Sequence, residues 1–131
     1  MTRTKDTSLS MPERIEMLKT YNPDLLVSIH LNSAASDTTQ GTSTYYRYIG
    51  FRPLSVAILN RMLTLGLKEF GNVGNFNFAL SGPTDYPNAL VEVAFLSNRE
   101  EEKKILSPKF HKAVAQKIYL GIMDWLKQAK Q

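Results

Sequence analysis

The chain has 131 residues, no cysteine, 43% hydrophobic and 21% charged residues, and a formal net charge of +4. That length buries a core without covalent staples, and the composition excludes wholesale disorder. The missing thiols exclude disulfides and thiolate metal sites, so any metal must rest on His and carboxylate ligands. No stretch approaches the roughly eighteen apolar residues of a membrane span, and Met1-Thr2-Arg3-Thr4-Lys5-Asp6 lacks the apolar centre of an export signal.

In chain order, Ser10-Met11-Pro12-Glu13 has capping-box spacing and opens a predicted helix to about Thr20, stopped by Asn22-Pro23. Asp24 to Leu31 is a nearly continuous apolar run and reads as a buried strand, followed by a polar loop from Asn32 to Gln40. Gly41 to Tyr48, rich in Thr and Tyr, reads as a second strand. Pro53 begins a helix whose stripe is Leu54, Ala57, Ile58, Met62 and Leu65, with Gly71 as its expected C-cap. Residues 71–88 are crowded with turn formers and read as a loop, with a short strand near 77–80. Ala89 to Leu96 is a second buried strand interrupted by Glu92. Asn98 with Glu101 repeats the capping spacing, and Ser107-Pro108 starts a last helix with Val114, Ile118, Ile122 and Trp125 on its apolar stripe. The alternation predicts a single α/β domain over residues 1–131, its mainly parallel or mixed sheet flanked by helices.

Function in such sheets gathers at the carboxyl ends of strands. His30 stands at the end of the first apolar strand, and Glu92 lies between Val91 and Val93 in the other. A lone histidine there is ordinarily a hydrogen-bonded structural residue. A buried, unpaired carboxylate costs several kcal/mol, which marks Glu92 as paired, metal-bound or held protonated, a state that suits a general acid or base. His111, Asp24 and Asp85 read as surface and turn residues. Tyr45, Tyr46, Arg47 and Tyr48 read as sheet packing rather than a nucleic-acid patch. The lysines at 103, 104, 109, 112, 117, 127 and 130 read as a solvated helix face, with an anionic wall polymer or nucleic acid as the competing partners. Phosphate-loop, dinucleotide, H-E-x-x-H and G-x-S-x-G patterns are missing from the sequence.

Three blocks carry a likeness. Ser28-Ile29-His30-Leu31-Asn32-Ser33, with Gly41-Thr42-Ser43-Thr44-Tyr45-Tyr46 after it, resembles the S-I-H-x-N-[AS] … G-x-x-x-Y-Y signature of the zinc-dependent N-acetylmuramoyl-L-alanine amidases. Pro87 to Asn98 resembles that family's P-x-x-L-x-E-x-G-F-x-S-N block, with Ala94 where glycine is usual. Thr2 to Asp6 with Glu13-Arg14 resembles the T-R-x-x-D … x-x-R segment.

The resemblance implies a peptidoglycan hydrolase of the cell wall or periplasm. Its reaction would be cleavage of the amide between N-acetylmuramic acid and the L-alanine of the stem peptide. His30 takes the place of a zinc ligand and Glu92 that of the catalytic glutamate. It also implies a histidine and a glutamate ligand that precede these blocks in the family and have no counterpart here. The chain is therefore expected to be the carboxyl-terminal three quarters of an amidase domain, truncated before residue 1 and incomplete at its metal. A degenerate peptidoglycan-binding or regulatory module remains the alternative, with a nucleic-acid-binding domain as a distant third. An unpaired sheet edge at the gap implies self-association.

Overall fold

The computed structural model describes residues 1–2 and 4–129. Arg3, from the opening T-R likeness, and Lys130, from the lysine set, lie outside the described residues. The first helix, α1 (Met11–Tyr21), has the full capping box: the Ser10 hydroxyl accepts from the Glu13 N–H, and the Glu13 carboxylate accepts from the Ser10 N–H at 2.7 Å. It ends at Asn22, whose φ of 41° is left-handed and whose N–H reaches the Leu18 carbonyl. β1 (Leu26–Asn32) follows, then β2 (Thr42–Tyr45), α2 (Arg52–Leu63), β3 (Glu69–Val73), β4 (Asn88–Phe95), α3 (Arg99–Ile105) and α4 (Pro108–Gln128).

The four strands form one sheet in the order β1-β4-β2-β3. β1 runs parallel to β4 and β2 parallel to β3, while β2 and β4 are antiparallel, so the sheet is mixed. One face is covered by α2 and α4. Leu54, Ile58 and Met62 of α2 and Val114 and Ile118 of α4 bury Ala89, Val91 and Val93 of β4 in a single apolar cluster. The two helices touch at Gly121, where an added Cβ would stand 2.6 Å from the Ile58 Cα.

Two expectations fail at β3. Gly71 is no helix cap: α2 ends at Leu63, and Gly71 lies inside a strand with φ 144°. The strand sought near 77–80 is a 3-10 turn, Ala79–Ser81, while the real one begins at Glu69. Its sequence, Glu-Phe-Gly-Asn-Val, holds three residues that strands disfavour. Tertiary pairing with β2 outweighs that propensity. Gly41, at the start of β2, packs so closely on this strand that a Cβ would meet the Lys68 carbonyl oxygen at 2.8 Å.

The two sheet edges differ. β3 is flanked by Lys68, carries Glu69, and its pairing with β2 slips between Thr42 and Ser43, devices that discourage further pairing. β1 also slips in its pairing, with β4 between His30 and Asn32, but it carries no Asp, Glu, Lys or Arg. The Leu26 N–H bonds to the Pro87 carbonyl, so the backbone groups of even-numbered β1 residues face β4. Those of Val27, Ile29 and Leu31 face outward, and Ile29 and Leu31 are 56% and 42% exposed.

Candidate active site

Side chains alternate along a strand, so the residues that do not face the helices share the opposite face. In register, Ser28 lies beside Leu90, His30 beside Glu92, and Ser43 beside Glu92 on its other side. Neighbouring strands are about 4.8 Å apart, so His30 and Glu92 are adjacent on the open face of the sheet. The two residues singled out from sequence are thus brought together across two strands from distant parts of the chain. Glu92 does not interrupt the core: it turns its carboxyl away from the helices.

The pairing changes immediately beyond them. His30 faces Glu92, but Asn32 faces Phe95, so β4 carries one extra residue after Glu92. Such bulges commonly lie next to active sites, where they re-aim a side chain. At the other end of the same face, the 74–82 segment packs Phe76 and Phe78 edge-on against Tyr45. A small apolar recess lies between Phe78, Leu80, Leu26 and Leu90, next to Ser28.

His30 is half-buried, and its Nε2 lies 2.7 Å from the Ser28 hydroxyl. This contact engages one ring nitrogen and leaves Nδ1 as the nitrogen available to a cation. Burial, with a smaller contribution from the positive charge of Arg14, lowers the His30 pKa and favours neutral imidazole, the form that ligates metals. Glu92 is half-buried, with Oε2 sealed from solvent and without a hydrogen-bond partner. Burial raises its pKa, the direction a proton-transferring carboxyl requires.

Ser28 was not anticipated, although its position two residues before His30 on a strand predicts a shared face. Glu101 also departs from expectation. Asn98 caps α3 through the Glu100 and Glu101 N–H groups, but the Glu101 carboxylate does not complete a capping box. It is 3% exposed and accepts from the Gly41 and Phe95 N–H groups instead. His111 lies on α4, its Nε2 against the Ile105 carbonyl, remote in sequence and register from the site.

A catalytic zinc takes three protein ligands. Among the described residues no group of three or more His, Asp or Glu side chains is placed to hold a metal. The site offers a single imidazole beside one carboxylate. These residues alone do not fit a catalytic zinc.

A family model described as N-acetylmuramoyl-L-alanine amidase matches residues 1–124. An uncharacterized cell wall amidase of Bacillus anthracis is 32% identical over 133 residues, which cover 92% of this chain and 24% of that protein. Among solved structures, the catalytic domain of the amidase CwlV from Bacillus (Paenibacillus) polymyxa var. colistinus superposes with a TM-score of 0.84 at 32% identity, covering 96% of this chain and 70% of that one. The N-acetylmuramoyl-L-alanine amidase of Clostridium difficile 630 gives a TM-score of 0.88 at 30% identity, covering 95% and 69%. The chain thus spans about a quarter of the B. anthracis relative. The match runs through both strands of the site, and on that ground the chain belongs to the N-acetylmuramoyl-L-alanine amidase family.

Proposed function

We propose that this chain is the Glu92-bearing part of a peptidoglycan amidase acting outside the cytoplasm on the bond between N-acetylmuramic acid and L-alanine. The observation that carries the reading is the register pair of His30 and Glu92 on the open sheet face, inside a family-matched fold. In the hydrolysis, a water oxygen bonds to the lactyl carbonyl carbon and the C–N bond breaks. Glu92 takes the water's proton and delivers it to the leaving alanine nitrogen, the two halves of general base and general acid work. Partial burial raises the proton affinity of its carboxyl, the direction that holding and passing on a proton requires.

His30 serves as one zinc ligand, and the remaining ligands come from polypeptide outside residues 1–131. No helix among the described residues is long and apolar enough to cross a membrane, and the partner is muramyl peptide rather than lipid or nucleic acid. The single-imidazole site favours one second reading, a non-catalytic module that binds peptidoglycan without turnover.

The test compares the chain with a fusion to the part of the Paenibacillus catalytic domain that it does not match. Peptidoglycan is the substrate, zinc is saturating, and new alanine amino termini are counted. The fusion is expected to release stem peptide, and Glu92→Gln is expected to stop it. A fusion that sediments with peptidoglycan yet releases nothing selects the binding module. One that does neither overturns both readings.

A further inference from the structure

We propose that Glu101 is a positioning residue for the site. It ties the loop after β1 to the bulge after Glu92 and so sets where the Glu92 carboxyl stands against His30. The proposal rests on the acid–base reading of Glu92.

A one-residue bulge re-aims the side chains beside it, and a change of register by one residue sends a side chain to the other face. The bulge in β4 lies between Glu92 and Phe95, so whatever fixes Phe95 fixes the aim of Glu92. That anchor is Glu101. Its Oε2 accepts from the Phe95 N–H at 2.7 Å and its Oε1 from the Gly41 N–H at 2.8 Å. The carboxylate is buried, so both bonds form away from competing water.

Neighbouring contacts run the same way. The Leu96 N–H donates to the Asn32 carbonyl at 2.8 Å, the Ala34 N–H to the Ser97 hydroxyl at 3.0 Å, and the Asn98 amide to the Asp37 carbonyl at 2.9 Å. Together they bind residues 96–101 to residues 32–41, the two segments that leave the site strands. On its other side Gly41 packs against the Lys68 backbone, and the next residue, Thr42, donates its N–H to the Lys68 carbonyl at 2.8 Å. From β2, the Thr42 hydroxyl donates to the Glu92 carbonyl at 3.1 Å, which gives the strand a second fixed point.

Only a glutamate meets both demands. It offers two acceptor oxygens and no donor, whereas Gln would turn an NH₂ group toward one of the N–H donors. Asp keeps the charge but is one methylene too short to reach both.

The experiment is NMR on the 131-residue chain, comparing wild type with Glu101→Gln and Glu101→Asp. Two readouts are taken: amide hydrogen exchange at Gly41 and Phe95, and the His30 ring and Glu92 carboxyl resonances. Glu101→Gln is expected to speed exchange at both amides at least tenfold and to shift or broaden both site resonances. Glu101→Asp is expected to recover one amide and part of the shift. Faster exchange with unmoved His30 and Glu92 signals overturns the proposal, since Glu101 would then be a staple with no bearing on the site. Unchanged exchange overturns it as well. If Glu101→Gln does not fold, Ser97→Ala and Asn98→Ala loosen the same loop more gently and are held to the same two readouts. None of these measurements uses turnover, so failure of the acid–base reading, seen as Glu92→Gln retaining activity, is scored separately.

Discussion

Replacing Glu92 with Gln is expected to stabilise the folded chain at neutral pH. Oε2 is sealed and without a partner. An unsatisfied buried polar group costs about 1–3 kcal/mol. Gln keeps a polar amide in the same position and recovers only part of this, so the gain is about 1 kcal/mol. Unfolding entropies near 2.1 cal/mol/K per residue give about 0.28 kcal/mol/K for this length, so the melting midpoint should rise by about 4 °C at pH 7.

The sign with pH follows from the raised pKa. Between the unfolded carboxyl value, about 4.3, and the higher folded value, the native state holds a proton that the unfolded chain has lost. Stability therefore falls as pH rises through that interval, and the penalty is complete above it. In Glu92→Gln this dependence is absent, so the midpoint difference between the proteins should be small at pH 4 and largest at pH 7. His30, whose pKa is lowered, acts oppositely: its contribution is whole above about pH 6.5 and is lost as pH falls from there through its lower folded value. It is common to both proteins and cancels in the difference. Melts followed by circular dichroism from pH 4 to 8 make the measurement. A variant less stable than wild type at pH 7, or an advantage of equal size at pH 4, would refute the reasoning.

The purified chain is expected to take up zinc only weakly, with that uptake lost in His30→Ala by metal analysis and titration. Tight stoichiometric zinc that depends on His30 would mean that other ligands are recruited. Gly121→Ala drives a methyl into the Ile58 backbone at the α2–α4 contact and should cost about 1–3 kcal/mol, seen as a melting midpoint several degrees lower. An unchanged midpoint would mean that the two helices spread freely. Self-association through the β1 edge should appear as a rising mass in light scattering at higher concentration and vanish in Ile29→Lys, which places a charge on that edge. A monodisperse monomer at all concentrations counts against it.

The helices were legible because their signals are local. Ser10, Asn98 and Ser107-Pro108 mark starts at one-residue accuracy, and Val114 and Ile118 declare the buried face of α4. β4 was equally plain, but β1, read as buried on both faces, is an edge strand without a buried residue, because its apolar run flanks the sheet rather than filling its middle. His30 and Glu92 could still be named from their places in the two runs. Their adjacency was not legible: it depends on β4 inserting between β1 and β2, a long-range choice that no local pattern encodes. β3 was missed because Gly71 and Asn72 speak against a strand, while the pairing that overrides them lies outside the segment. For Glu101 the spacing from Asn98 was read correctly and its meaning was not. Whether a glutamate at the third helical position turns back to its own cap or reaches across to Gly41 depends on which unpaired N–H groups lie nearby in the folded chain.

The strand order also governs how the molecule is made. β1 has β4 as its strand partner, some sixty residues later in the chain, and β2 waits for the same strand. Closing so long a loop is entropically unfavourable until its contacts form, which places this step late in folding. On a ribosome that releases the amino terminus first, α1, β1 and α2 emerge well before residue 88 can join them. A nascent chain halted short of that point holds His30 but has no Glu92 beside it, so the two residues become neighbours in one step when the last-arriving strand takes the middle of the sheet.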